Sequence, residues 1–281
     1  MTLRDDLLNY MARFGRDNIA LEKPDVVMVA ELHGHLRSND AAVRTTAMTR
    51  VVRELLTDRR FRYFGNESFQ NAGPVRPAIR DYWARTALPP NFDNAAPGAA
   101  AMDPNEVGRR VMPRRFQPVL DDLRASSRYV LSIGSRVSTN ARDRRLAQHF
   151  IEEATDRGIT RNTAGVLLLG AAHAAAKPFF MGQTTTRMIL ERRGYHCTSI
   201  RVITDFPRGD SGPDDAVLPM ASPLPGGALP AIRLASLTLR SPISFSTRAA
   251  PDSPFFRVID PSSDSGRSMA EQYEFVVLQR G

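Results

Sequence analysis

The stretch Val26-Val27-Met28-Val29-Ala30-Glu31-Leu32-His33-Gly34-His35 decides how this chain folds. Val26 to Ala30 is apolar at every position, as a parallel strand covered on both faces requires. The run stops at Glu31, and two imidazoles follow at once. Alternate side chains of a strand face the same way. An extended backbone through the end of the run therefore points Glu31, His33 and His35 to one side. In open α/β sheets the ligand crevice lies just beyond the carboxyl ends of the strands. Charged and imidazole groups are poorly tolerated beside a core unless they are paired or used. The stretch thus predicts a buried parallel strand that ends in a functional edge.

The same grammar recurs along the chain. Phe61 to Phe64 reads as a second strand and ends in Gly65-Asn66-Glu67-Ser68. Tyr129 to Ile133 reads as a third and ends in Gly134-Ser135-Arg136. Val166 to Leu169 reads as a fourth and ends in Gly170-Ala171-Ala172-His173. Cys197 to Thr204 and Tyr273 to Leu278 complete the set. Helical patterns lie between them. In Asp40 to Thr57, the residues Val43, Ala47, Val51 and Leu55 recur at i+4. In Arg142 to Arg157, the residues Leu146, Ala147, Phe150, Ile151 and Ala154 share one face, with Thr139 or Asn140 as the expected cap. Thr184 to Arg193 is a further helix, and Leu3 to Phe14, Pro77 to Thr86 and Phe116 to Ala125 are shorter ones. Strand and helix in alternation predict an α/β fold, a mainly parallel β-sheet flanked by helices.

Two irregular segments interrupt this order. Ala87 to Arg114 is rich in Pro, Asn, Asp and Gly, and a loop of that length is expected to border the pocket. From Phe206 to Pro230 the composition shifts to Pro, Gly, Ser and Asp, the signature of a linker or long surface loop. The expected organisation is an α/β catalytic-type core over 1–206 and a C-terminal extension over 207–281 that packs on it. Ala231 to Ser246 and Phe255 to Ile259 are its candidate short strands.

Composition narrows the function classes. The chain has 281 residues, 42% of them hydrophobic, enough to bury a sizeable core. Its formal charge is +8, but the basic residues are scattered and nearly all arginine, Lys23 and Lys177 being the only lysines. Without a basic block or aromatic interleaving, nucleic acid is not an expected partner. Cys197 is the single cysteine, which excludes an intramolecular disulfide and a cysteine-based metal cluster. No signal-peptide core and no apolar run of about 20 residues is present, so neither export nor a membrane span is expected. The expected location is cytoplasmic, and the sequence is silent on oligomeric state.

Titratable groups at three strand ends, Glu31 with His33, then Glu67, then His173, converge if the strands are neighbours. Carboxylate plus imidazole supports two chemistries. In one, a carboxylate orients a histidine that abstracts a proton from water or substrate. In the other, Glu31, His33, Glu67 and His173 hold a divalent ion that acidifies bound water. Mixed His/Glu ligands suit zinc, manganese, cobalt or iron, and the sequence does not choose among them. Each residue also has a plain structural reading. Glu67 caps a turn, His173 is a satisfied histidine in a small-residue turn, His35 is solvated, and His149 is surface or packing. Arg142 and Asp143 open a helix, where Asp complements the dipole and Arg142 reaches back to an anion in the site. Zincin, nucleophile-elbow, phosphate-loop and dinucleotide motifs are absent. Ser68 and Ser135 sit at strand ends, but nothing local marks either as an activated nucleophile.

The set Val29-Ala30-Glu31-Leu32-His33-Gly34, Glu67 after a strand, Asn140-Ala141-Arg142-Asp143 opening a helix, and Leu169-Gly170-Ala171-Ala172-His173 resembles the ChaN-like/erythromycin-esterase-like/Tiki superfamily. The resemblance covers most of Asp25 to Thr204, and the strand near Tyr273 is similar to the family's last one. It implies a parallel sheet with a pocket at the strand ends. Its members are variously esterases using Glu and His, metal-dependent proteases and haem-binding lipoproteins. Ala30 stands where the family usually has Gly, and the Glu-x-His spacing resembles the ChaN-like branch more than the esterase branch. The chain has no lipobox, so a lipoprotein role is not expected.

The expected function is hydrolysis of an ester, amide or related bond in a small-molecule or peptide substrate. Glu31, His33, Glu67, His173 and Arg142 are its candidate catalytic residues, and His33 is the expected general base or first ligand. The alternatives are a haem- or metal-chelate-binding protein with His33, His35 or His173 as axial ligand, and a scaffold without catalysis.

Overall fold

In the computed structural model, β1 (Val26–Glu31) lies at the centre of a seven-stranded sheet. The structure describes residues 21, 26–31, 51–71, 122, 125–126, 128–135, 137, 141–205, 217–219, 231–233, 243–246, 265, 267 and 269–280. The strands are β2 (Tyr63–Gln70), β3 (Tyr129–Gly134), β4 (Gly165–Gly170), β5 (Cys197–Asp205), β6 (Val217–Pro219), β7 (Ala231–Arg233), β8 (Ile243–Ser246) and β9 (Phe275–Arg280). Their order across the large sheet is β3-β2-β4-β1-β5-β9-β8. Six of them run parallel, and β8 pairs antiparallel with β9 at the edge. The α/β expectation holds. β6 and β7 form a separate antiparallel pair, and β6 falls within the segment whose composition predicted only a linker or loop. The helices with complete bounds are α1 (Arg142–Asp156), α2 (Ala171–Ala174), α3 (Thr186–Arg192) and α4 (Met269–Gln272).

Period-two alternation in β1 separates the two faces of the sheet. Val26, Met28 and Ala30 pack with Ala147, Phe150 and Ala154 of α1 and Leu190 of α3. Val27 and Val29 pack on the opposite face with Val51, Val52, Leu55 and Leu56 of the helical residues 51–56. All five β1 residues from Val26 to Ala30 are buried, each larger side chain contributing about 1.5–3 kcal/mol. A strand buried on both sides admits no polar alternation, which is why the run reads as continuously apolar.

The topology positions the site. The chain moves from β1 through β2 to β3 in one direction across the sheet, then returns through β4 towards β5 and β9. Right-handed crossovers taken in opposite directions put their helices on opposite faces. The helical residues 51–56 accordingly lie on one face and α1 and α3 on the other. Connections thus diverge between β4 and its two neighbours, β1 and β2. In open α/β sheets ligands bind at the carboxyl edge beside such a divergence.

Several local expectations need correction. β2 continues through Glu67 to Gln70 rather than stopping at Phe64, because its backbone pairs with β3 again after an irregular stretch. The N-cap of α1 is Ala141, with no side-chain cap hydrogen bond, so neither Thr139 nor Asn140 takes that role. His173 lies within the short helix α2 rather than in a turn. α3 begins at Thr186, where Thr185 accepts a hydrogen bond from the Met188 N–H (3.1 Å). The segments Leu3 to Phe14, Pro77 to Thr86, Ala87 to Arg114 and Phe255 to Ile259 lie outside the described residues. Among the described residues no helix is long and apolar enough to cross a membrane.

Candidate active site

Gly170, the last residue of β4, pairs in register with Glu31, the last residue of β1. Its N–H also donates to Glu67 Oε2 from β2 at 3.1 Å. Three adjacent strands therefore meet at this one point of the carboxyl edge. His33 and His35 follow β1 but lie outside the described residues, as does the side chain of Glu31.

A bulge in β2 presents Glu67. Asn66 pairs with Ser132, but the next pairing is Gln70 with Gly134, so β2 advances four residues while β3 advances two. Extra residues of this kind bend a strand and re-aim its side chains. Gly134 makes room for the bulge, since a Cβ there would overlap the Glu67 carbonyl oxygen. Asn71 pins the far end, its N–H donating to the Gly134 carbonyl (3.1 Å) and its side-chain amide to the Ser132 carbonyl (2.7 Å).

The buried Glu67 carboxylate faces two nitrogen groups. Arg142 Nη2, at the start of α1, is 3.6 Å from Oε1, and His173 Nε2 is 3.9 Å from Oε2. The Arg142 Nε is buried without a hydrogen-bond partner among the described residues. A buried carboxylate needs such neighbours, because leaving the charge uncompensated in a low-dielectric interior is costly.

His173 is held from its other side. Its Nδ1 is 2.8 Å from Asp143 Oδ1. A carboxylate only accepts, so Nδ1 carries a proton, and Nε2 of the neutral ring is the basic nitrogen. Asp143 in turn accepts from the Thr186 N–H (2.6 Å), the Thr186 hydroxyl (2.8 Å) and Gln183 Nε2 (2.8 Å). Burial alone would push the Asp143 carboxyl up. The His173 imidazole and the Gln183 and Thr186 donors outweigh it and hold the carboxyl below its ordinary value.

Of the candidate residues, Glu67, His173 and Arg142 meet here, and Glu31 has its backbone beside Gly170. Asp143 is the member that the sequence reading gave a different part. It was assigned to complement the helix dipole, whereas its side chain ties α1 to His173 and to the start of α3. Its position beside Arg142 was visible, but its partner, 30 residues further on, was not. Gln183 and Thr186 carried no sequence signal at all. His149 packs with its Nδ1 against the Gly134 carbonyl at 3.0 Å, which ties α1 to the end of β3.

The donor set also bears on a metal. Among the described residues no group of three or more His, Cys, Asp or Glu side chains is arranged to hold an ion. Glu67 and His173 are two candidate ligands, but the Arg142 cation lies against the same carboxylate. A fixed positive charge at that distance opposes a divalent cation. The described side chains do not fit a metal site by themselves.

No family model matches the chain, and no curated protein matches it. Several solved structures are similar. One is a succinoglycan biosynthesis protein at 11% identity and a TM-score of 0.45, over 100% of this chain and 97% of that one. Another is RRSP, a MARTX toxin effector domain from Vibrio vulnificus CMCP6, at 14% identity and a TM-score of 0.40, over 70% of this chain and 38% of that one. A third is an erythromycin esterase mutant, EreC in its open conformation, at 13% identity and a TM-score of 0.30, over 88% of this chain and 66% of that one. The chain spans about two fifths of the length of the toxin chains that it matches.

Proposed function

We propose that this chain is a hydrolase of ester, amide or related bonds, acting on a small-molecule or peptide substrate with His173 as general base. The observation that carries this reading is the 2.8 Å hydrogen bond between Asp143 and His173, with Nε2 turned towards Glu67 at the carboxyl edge of the sheet. An aspartate on Nδ1 fixes the tautomer and stabilises the imidazolium that forms when Nε2 takes a proton. A water donating one hydrogen to Nε2 and the other to Glu67 Oε2 fits a gap of 3.9 Å with about 2.8 Å on each side.

The proposed steps conserve atoms and charge. His173 Nε2 removes a proton from that water as its oxygen attacks the substrate carbonyl. The negative charge that builds on the carbonyl oxygen is met by the Arg142 guanidinium, whose Nε has no hydrogen-bond partner among the described residues. The intermediate collapses as His173 returns the proton to the leaving oxygen or nitrogen. Glu67 keeps Arg142 in place and holds the water. Glu31 and His33 are proposed to complete the centre from the end of β1. If a divalent metal were used, Glu31, His33, Glu67 and His173 would be the residues to hold it, and it would acidify bound water. With Cys197 as its one cysteine the chain needs no oxidising compartment, and the proposed setting is cytoplasmic.

Haem ligation through His173 is less well supported. The direction of Nε2 that an iron would occupy already faces the Glu67 carboxylate. The test is turnover of a panel of p-nitrophenyl esters and peptide anilides by wild type, His173→Gln and Glu67→Gln, with and without prior dialysis against a chelator. The expected loss in kcat for His173→Gln is at least about a hundredfold, the scale of general-base catalysis. Full turnover by that variant would remove the reading. Loss of wild-type activity on chelation would favour the metal-assisted variant.

A further inference from the structure

Basic residues that lie scattered along the sequence meet at one edge of the sheet. Val26 pairs in register with Gly165 on one side and with Cys197 on the other, Tyr63 with Tyr129, and Phe64 with Val166. The first residues of β1 to β5 therefore stand on one level, and with strands about 4.8 Å apart that edge is about 19 Å wide. The turns leading into these strands emerge there side by side, at the amino edge, opposite to Glu67 and His173. Arg59 and Arg62 come just before β2, Arg161 before β4, and Arg192 and Arg193 before β5. All are exposed, and none makes an ion pair among the described residues. Backbone bonds fix the turns: the Arg62 N–H donates to the Ala164 carbonyl at 2.8 Å, the Tyr129 N–H to the Arg62 carbonyl at 3.0 Å, and the Val26 N–H to the His196 carbonyl at 2.9 Å. Arg161 reaches over the turn before β5, where a Cβ added to Gly194 would stand 3.2 Å from its Nη1.

The acids of this edge are engaged elsewhere. Asp58 is held by Arg60 at 2.7 Å, Asp122 by Arg53 at 3.0 Å and Glu191 by Arg187 at 2.8 Å. Asp156, the last residue of α1, is the further acid of these turns among the described residues. Beneath the exposed arginines, Arg128 is buried and donates to the Leu56 and Asp58 carbonyls. Burial disfavours its charge, and the neighbouring Arg62 and Arg59 charges add to that, a crowding that an anion outside the edge would relieve. We propose that the amino edge is a docking surface for an anionic lipid bilayer. The inference is independent of the hydrolase reading. Phe61, Tyr63 and Tyr195, the aromatic residues next to these arginines in the chain, are buried, so no platform is offered for stacking nucleic-acid bases. The charges stand at turn tips along a level edge, not on a helix that could enter a duplex groove. The exposed large hydrophobics among the described residues are Val137, Phe180 and Met181. None belongs to these turns, so the edge lacks the apolar anchor at the centre of a protein interface. A level row of cations without apolar anchors fits a planar array of phosphate and carboxylate headgroups, held by charge and released by salt. In that orientation Glu67 and His173 face away from the bilayer, and substrate reaches them from the water.

The experiment is co-sedimentation of the full chain with vesicles of phosphatidylcholine alone and of phosphatidylcholine mixed with phosphatidylserine, over a range of salt. Wild type is expected to bind the mixed vesicles and not the neutral ones, with binding that weakens as salt rises. An arginine near an anionic surface strengthens binding roughly fivefold. The double variant Arg62→Gln with Arg193→Gln should therefore bind on the order of twentyfold more weakly. The control, Arg144→Gln with Arg145→Gln, removes the same charge from exposed residues in the first turn of α1, at the carboxyl edge. It should bind within about twofold of wild type, since charges beyond a Debye length are screened. Thermal unfolding checks that each variant is folded, and if the first double does not fold, Arg59→Gln with Arg161→Gln decides. Equal losses in the edge and control variants overturn the proposal, as does equal binding to neutral vesicles or no binding to mixed vesicles at low salt. A duplex DNA arm covers the rival polyanion: DNA retained at a salt concentration that releases the mixed vesicles would replace the bilayer by nucleic acid and overturn the proposal.

Discussion

Asp143 and His173 lie 30 residues apart in the chain and share a hydrogen bond of 2.8 Å between Oδ1 and Nδ1. One belongs to the first turn of α1, which crosses from β3 to β4, and the other to α2, which follows β4 directly. The bond joins the two ends of a single crossover unit. It also leaves Nε2 facing Glu67 Oε2 at 3.9 Å.

Replacing Asp143 with Asn tests the orientation of His173. The amide has a single acceptor oxygen, so the Thr186 and Gln183 donors compete with Nδ1 for it. The imidazole then loses its fixed tautomer. Turnover of an ester substrate should fall on the order of 10³–10⁴-fold, the scale seen when an orienting aspartate is lost, with the circular dichroism spectrum retained. A fall of less than about tenfold in steady-state kcat would show that Asp143 does not orient the base.

Stability should depend on pH through the same carboxyl. The folded state holds Asp143 below its ordinary value of 3.8, so it favours the ionised form more than the unfolded chain does. That stabilisation is fully present above the ordinary value and is lost as pH falls through the lower folded value. Urea unfolding of wild type and Asp143→Asn should show a wide gap in stability at about pH 7 that narrows at about pH 3. An equal gap at both pH values would contradict the assignment.

Gly134→Ala should damage the site from a distance. The added methyl meets the carbonyl oxygens of Glu67 and Phe69, backbone atoms that cannot rotate aside. Overpacking of this sort costs about 1–3 kcal/mol, read as a lower thermal midpoint. Because the bulge carries Glu67, turnover should fall further than the loss of folded protein explains. Activity per folded molecule equal to wild type would mean that the bulge can shift without moving Glu67.

Arg187 offers a contrast in which stability changes and the centre does not. Its guanidinium makes two 2.7 Å hydrogen bonds to Glu274 and one of 3.0 Å to Ser199 Oγ, which ties α3 to β5 and to the start of β9. Burial disfavours the charge, but the Glu274 and Glu191 carboxylates more than compensate and keep it protonated. Arg187→Ala takes the guanidinium away from the Glu274 carboxylate, which keeps the Ser199 N–H at 2.8 Å, and should cost about 3–5 kcal/mol by urea unfolding. Turnover per folded molecule should stay where it is, and a change in it would reveal coupling between α3 and the centre beyond Thr186.

The fold was legible because its cause is local and repeated. Val26 to Ala30 and Val166 to Leu169 are apolar without alternation, and only a strand covered on both faces calls for that. The residues Val51 and Leu55, or Leu146, Phe150 and Ala154, recur at helical spacing and face the sheet. Glu67 and His173 could be singled out because a titratable side chain beside such strands is expensive unless used. The partnership of Asp143 was not legible. An Asp in a first helical turn is ordinarily explained by the dipole, and nothing near it in sequence names His173. Gln183 and Thr186 carried no signal for the same reason. The sequence by itself determined a parallel α/β sheet and which strand ends carry acid–base groups, since periodicity and burial act within a few residues. Only the tertiary structure decided that β4 lies between β1 and β2, that a bulge at Gly134 aims Glu67, and that α1 brings Asp143 to His173. Those relationships are set by strand order and crossover packing, which join residues tens of positions apart and leave no local pattern in the chain.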